Sequence, residues 1–220
     1  MKYRAVIFDL DGTLLNTLDD LGNAMNRTLQ QEGFPTHPID AYRYFVGNGA
    51  RKLVARVLPE TRRDQETIER CLTGFRADYA EHWNVKTKPY DNVPDMLNAL
   101  TSRGLKLAVL SNKPDADTKR CVAELLPDWT FAIALGQRDG VPHKPDPIGA
   151  HDIAAYLQVS AAECLYVGDT SVDMQTAVAA RMFAVGVLWG FRPRQELEES
   201  GAQALLTHPL DILELLDAPA

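Results

Sequence analysis

Short apolar runs and long helical stripes share the chain unevenly. Residues Tyr3–Leu10 form a β-branched and aromatic run that stops at Asp-Gly, as a buried strand entering a turn does. Four comparable runs come only after residue 100: Leu105–Ser111, Phe131–Leu135, Cys164–Gly168 and Phe183–Trp189. Helical spacing separates them, as in Val93, Met96, Leu97 and Leu100, and again in Val172, Ala177 and Val178. Continuous apolar strands alternating with helices predict an α/β fold with a Rossmann-like parallel sheet and helices on both faces.

Between the first strand and residue 90 the period is helical throughout. Leu18, Leu21, Met25 and Leu29 form one stripe, with Thr17 and Asp20 spaced as an N-terminal cap and Gly33 as a stop. Leu53, Val54, Val57 and Leu58 form a second stripe closed by Pro59, and Ile68, Leu72, Phe75, Tyr79 and Trp83 a third. This block predicts a separate helical lobe over residues 16–89, inserted into a core made of residues 1–15 and 90–220. Its expected hinges lie near Leu15–Asn16 and Lys86–Asp91, and the tail from Arg192 reads as two short helices punctuated by Gly201 and Pro209.

Composition narrows the function. The chain has 220 residues, 45% hydrophobic and 24% charged, with a net charge of −7. That balance opposes broad binding to nucleic acid or anionic membranes, which need clustered Lys and Arg, but leaves room for a small anionic substrate in a local positive pocket. There is neither a membrane-length apolar stretch nor a secretory signal pattern. Cys71, Cys121 and Cys164 lie far apart and read as reduced thiols. A cytoplasmic enzyme, monomer or homodimer, is the expectation.

Ligands of open parallel sheets bind beyond the carboxyl ends of the strands. There the first strand carries Asp9-Leu10-Asp11-Gly12-Thr13, the second Ser111-Asn112-Lys113, and the fourth Gly168-Asp169-Thr170-Ser171 with Asp173 following. Lys144, in His-Lys-Pro-Asp-Pro, precedes the helix before that fourth strand. Asp9 and Asp11 are two apart, so an extended backbone turns both to one side, where paired carboxylates can divide nucleophilic and proton-shuttling work. Asp-Leu-Asp-Gly also suits a plain turn, yet D-x-D-G-T arises by chance in about one chain of this length in several hundred. Asp169 and Asp173 suit either a helix cap or Mg²⁺, which takes one or two carboxylates plus substrate phosphate. Asp9, the Asp11 carbonyl and Asp169 make a candidate ligand set, with Asp173 as a ligand or a supporting group. Lys144 and Ser111 offer a charge and a hydroxyl to a transferring phosphoryl group.

These four segments, in this order and spacing, resemble the haloacid dehalogenase-like hydrolase superfamily, and the likeness spans nearly the whole chain. It implies that Asp9 is a nucleophile forming an aspartyl-phosphate and that Asp11 is the acid and then the base. It also implies that Ser111 and Lys144 hold phosphoryl oxygens and that Asp169 binds Mg²⁺ with Asp173 in support. The helical insertion is similar to the family's first type of cap. Asp11 is shared by phosphatases and phosphomutases and speaks against dehalogenases and phosphonate-cleaving members. The segment Phe45-Val46-Gly47-Asn48-Gly49-Ala50-Arg51 and the run Leu188–Leu197 are similar to the phosphoglycolate phosphatases. Gly49 and Arg51 are the cap residues expected to meet a small carboxylate, and Asn112 a further substrate contact.

The resulting expectation is Mg²⁺-dependent hydrolysis of a small phosphorylated metabolite. A sugar or amino-sugar phosphatase shares every core residue, and only a substrate comparison separates the two. A mutase needs a cap that excludes water, and no such cap match is visible. A non-catalytic phosphate-binding module gains little from two carboxylates facing an anion.

Overall fold

The computed structural model describes residues 2–217. The chain divides into two compact units, one of residues Met1–Leu15 and Pro89–Ala220 and the other of Asn16–Lys88.

The first unit begins with strand β1 (Ala5–Phe8), every residue of which is buried. The chain leaves through β2 (Leu15–Asn16), enters the second unit, and returns through β3 (Lys88–Pro89), which pairs with β2. Four helices belong to the second unit: α1 (Leu18–Gln31), α2 (Tyr42–Phe45), α3 (Ala50–Val57) and α4 (Gln65–His82). After β3 follow α5 (Val93–Ser102), β4 (Lys106–Pro114), α6 (Asp115–Leu125), β5 (Phe131–Gln137) and α7 (Ile148–Leu157). The chain continues through β6 (Cys164–Gly168), α8 (Ser171–Ala179), β7 (Phe183–Val187), α9 (Arg194–Glu199), β8 (Ala204–Leu206) and α10 (Ile212–Asp217).

The main sheet runs β5-β4-β1-β6-β7-β8, and its neighbouring strands pair in parallel. Alternation along the strands sends Ala5, Ile7, Ala108, Leu110, Tyr166 and Ala184 to one face, where they pack with Ala150, Ile153 and Leu157 of α7 and Met174 and Ala177 of α8. Val6, Phe8, Leu107, Val109, Leu165 and Val167 turn to the other face and are equally buried. A sheet covered on both sides is why these strands are apolar throughout. The chain adds strands on one side of β1 and then, from β6, on the other. The reversal puts a crevice at the carboxyl end of β1, where open parallel sheets bind ligands.

In the helical unit the stripe Ile68, Leu72, Phe75, Tyr79 and Trp83 is buried, with Phe75 and Tyr79 stacked at 5.6 Å. Gly33 ends the first helix with φ +74°, while the Phe34 N–H reaches back to the Leu29 carbonyl, satisfying an orphan helix acceptor.

Two local expectations are corrected. Thr17 precedes α1 as expected but makes no side-chain cap, and the Asp20 carboxylate does not reach back to it: it accepts the N–H groups of Lys86 and Thr87 and the Thr87 hydroxyl, each at 2.8 Å. The Ser111–Pro114 segment is the end of β4, which stays extended and pairs at Pro114 with Gln137. The tail after Arg192 holds an edge strand, β8, between its helices, three residues being too short to show a period. Cys71, Cys121 and Cys164 are buried free thiols, and burial pushes Cys121 up to about 12 and Cys164 to about 11. No helix among the described residues is long and apolar enough to cross a membrane.

Candidate active site

Asp9 is the first residue past β1, and its N–H is still bonded to Val167 of β6 at 2.9 Å, so the sheet itself fixes its position. One carboxylate oxygen, Oδ1, accepts the Leu10 N–H at 2.7 Å and lies 2.9 Å from Lys144 Nζ. The other oxygen has no hydrogen-bond partner among the described residues. The chain then folds back sharply: the N–H groups of Thr13, Leu14 and Leu15 all point to the Leu10 carbonyl. Gly12 sits in this turn at φ +92°, where a Cβ would stand 2.7 Å from Asp169 Cγ, so glycine is required both by the backbone and by the neighbour.

Asp169 follows β6 directly and is fully buried. Its Oδ1 accepts the Thr13 hydroxyl at 2.9 Å and its Oδ2 the Phe191 N–H at 2.8 Å. Asp173, in the first turn of α8, reaches back with Oδ2 to the Thr170 N–H at 3.1 Å and hydroxyl at 2.6 Å, while Oδ1 accepts from Lys144 at 2.7 Å. Capping a helix and joining the acidic cluster are therefore one placement, not alternatives. Lys144 Nζ also donates to the Leu110 carbonyl at 3.0 Å, so all three of its protons are engaged.

Asp9, Asp169 and Asp173 bring carboxylate oxygens within 4.8 Å of one another, all three residues buried. Burial and the charge of Asp173 push Asp9 up to about 7, against the pull of Lys144. Burial, Asp173 and Asp9 hold Asp169 well above the usual carboxylate range. Burial alone would lower the Lys144 ammonium, but Asp173 and Asp9 more than reverse that. Fully ionised, the three buried carboxylates would set three negative charges against one positive, an imbalance that a divalent cation would offset. Hard carboxylate oxygens in a tight cluster are also the donor set Mg²⁺ prefers. The residues present fit the ion.

Asp11 lies outside this cluster of side chains. Both its oxygens face Lys113 Nζ, at 3.1 and 3.3 Å, which leaves its carbonyl for the ligand role expected of it. Ser111 is buried, its hydroxyl accepting the Lys113 N–H at 3.2 Å, and it lines a cleft with Asn112 and Lys144. Asn112, expected to meet substrate, spends both ends of its amide on the Lys144 backbone, at 2.9 and 3.2 Å, and so fixes where that lysine stands. In the helical unit, Gly49 precedes α3 at φ +84°, in a turn held by Arg56 through Asn48 Oδ1 at 2.7 Å and the Phe45 carbonyl at 2.9 Å. Arg51 is half exposed and ion-paired with Glu69.

Sequence reasoning marks Trp189 and Phe191 only as near the site mouth or packing, within the run Leu188–Leu197, and does not single out Thr13 and Lys113. Lys113 and Thr13 stand inside the motifs, but their partners lie 102 and 156 residues away. The contribution of Phe191 is a backbone N–H, on which residue type is silent.

Residues 6–187 match the haloacid dehalogenase-like hydrolase family. The chain belongs to this family. It is 32% identical over 214 residues to a phosphoglycolate phosphatase of Aquifex aeolicus, covering 97% of both chains. With the phosphoglycolate phosphatase of Neisseria gonorrhoeae it shares 36% identity over 193 residues, covering 86% of this chain and 81% of that one. Among solved structures, a protein of Lactobacillus delbrueckii subsp. bulgaricus provisionally named phosphoglycolate phosphatase superposes with a TM-score of 0.93. That pair is 33% identical and the match covers 98% and 99% of the two chains. Family membership, together with relatives over most of the chain that are phosphoglycolate phosphatases, makes the chain a phosphoric monoester hydrolase.

Proposed function

We propose that the chain hydrolyses 2-phosphoglycolate to glycolate and phosphate, with Mg²⁺, through an aspartyl-phosphate on Asp9. The open Oδ2 of Asp9 carries this reading: one oxygen is pinned by Leu10 and Lys144, and the other is left for attack. In the first step Asp9 Oδ2 bonds to phosphorus, the ester P–O bond breaks, and the departing glycolate oxygen takes a proton from Asp11. In the second, Asp11 takes a proton from water as the water oxygen bonds to phosphorus. The P–Oδ2 bond breaks, phosphate leaves, and both aspartates are restored. Lys113 faces the Asp11 carboxylate that exists between the two proton transfers. Asp9, Asp169 and the Asp11 carbonyl would hold the ion, with Asp173 beside them. When bound, Mg²⁺ neutralises phosphoryl charge and orients the group for in-line attack.

Lys144 has its protons committed to Asp9, Asp173 and Leu110, so its part is to balance the nucleophile's charge while Ser111 offers a hydroxyl to the phosphoryl oxygens. Gly49, Arg51 and Asn112 remain the expected substrate-side residues. Support for the substrate comes from the relatives' names and from the Gly47–Gly49 turn, whose positive φ at both glycines permits close backbone approach to a small ligand.

The test is a comparison of kcat/KM for phosphoglycolate, sugar phosphates and nucleoside monophosphates on wild type and Asp9→Asn. Phosphoglycolate should lead by at least an order of magnitude, and Asp9→Asn should lose all turnover with its fold intact. A sugar phosphate in front overturns the substrate. Full turnover in the variant overturns the nucleophile.

A further inference from the structure

The segment after β7, Leu188–Arg192, takes no part in the steps above, yet it packs on the least supported carboxylate of the cluster. Asp9 and Asp173 share Lys144. Asp169 has no cationic partner among the described residues, and its two neighbours repel it. What keeps it in place is neutral: the Thr13 hydroxyl on Oδ1 and the Phe191 N–H on Oδ2. Thr13 is in turn held by the Trp189 indole N–H, which donates to its carbonyl at 3.0 Å. Between these two donors Gly190 lies so close that a Cβ there would stand 2.6 Å from Asp169 Cγ.

We propose that this segment is a clamp on Asp169, and that Trp189 is a positioning residue acting through Thr13 to keep the carboxylate turned toward the divalent cation. The inference rests on the metal site of the proposed function. Each Asp169 oxygen has about two acceptor positions, so one donor apiece sets the carboxylate plane and still leaves a lone pair on each oxygen for the ion. Without the donors, repulsion from Asp9 and Asp173 would turn the group away before any cation arrived. The clamp thus meets the ordering cost of ion binding during folding, as partners of metal ligands commonly do. It also explains an indole at residue 189: a phenyl ring fills similar space but cannot donate.

Calorimetric titration of Mg²⁺ into the full chain without substrate tests this on wild type, Trp189→Phe, Thr13→Val and Thr13→Ser. The Mg²⁺ Kd should rise about tenfold or more in Trp189→Phe and Thr13→Val. Thr13→Ser, which keeps the hydroxyl, should stay near wild type. The Mg²⁺ concentration for half-maximal activity should rise by the same factor, with kcat at saturating Mg²⁺ largely kept in Trp189→Phe. Affinities within twofold of wild type in both donor-removing variants overturn the clamp, whatever happens to their melting temperatures in chelator. Should Trp189→Phe fail to fold, the Thr13→Val and Thr13→Ser pair decides alone. A wild type that binds no Mg²⁺ removes the metal site and the clamp together. One that binds Mg²⁺ but leaves phosphoglycolate intact overturns the substrate and leaves the clamp standing.

Discussion

Gly12 answers to two neighbours at once, its own backbone at φ +92° and the Asp169 carboxylate against its α-carbon. A methyl group there must either twist the turn or push Asp169 off its donors. Gly12→Ala should therefore cost about 1 kcal/mol or more in stability and, through Asp169, about tenfold or more in Mg²⁺ affinity. Urea unfolding in chelator and an Mg²⁺ titration read the two effects separately, and unchanged Mg²⁺ affinity would show that Asp169 tolerates the methyl. At this scale the sequence was informative wherever residue type and strand end coincide. Asp9 and Asp169 sit at such ends and Asp173 in the first turn of the helix that follows, and the structure brings them together with Lys144. It was silent wherever a contact uses backbone or spans most of the chain, as with Phe191 on Asp169 or Lys113 on Asp11.

Among elements, the strands legible in advance were those with apolar runs of five or more residues, the partly buried edge strand β5 included. Cys164–Gly168 is observed with the expected ends, because five apolar residues between polar ones leave little freedom. The strand β8 is at the sheet edge and only partly buried, and its apolar run, Ala204-Leu205-Leu206, is too short to show a period. Helix α1 starts at Leu18 with Thr17 just before it, as expected, and only the side-chain cap is missing. Thr17 and Asp20 have capping spacing, but a local bond from Asp20 to Thr17 cannot compete with three donors from Lys86 and Thr87. Asp20 thereby ties the first turn of the helical unit to its last residues. Asp20→Ala strands two backbone N–H groups and a buried hydroxyl, and should cost about 2–4 kcal/mol. Asp20→Asn keeps an acceptor oxygen and should cost less. A chemical denaturation series on the two variants checks the order, and equal stabilities would mean the tie contributes nothing.

For the molecule as a whole, the acidic cluster sets how stability depends on pH and on cation. In the metal-free protein burial and Asp173 raise Asp9 to about 7 from its ordinary 3.8. A carboxyl whose folded pKa is raised contributes stability that is complete below its unfolded value and lost as pH climbs through the folded one. Asp115 and Asp211, held below their ordinary values, act in the opposite sense but only near and below pH 4. Between pH 5 and 7 the cluster should therefore dominate, and chelated protein should lose stability as pH rises, by at most about 1.4 kcal/mol per pH unit for each proton retained on folding. For a chain of this size that is about 3–6 °C of melting temperature per unit. Asp9→Asn, which cannot ionise, should flatten the slope. Mg²⁺ competes with the same protons, so the rise in melting temperature it gives should be larger at pH 7.5 than at pH 5. A chelated wild type that gains stability from pH 5 to 7, or an Mg²⁺ shift equal at both pH values, would mean that the three carboxylates are compensated without a cation. The charge imbalance on which the site's chemistry rests would then not exist.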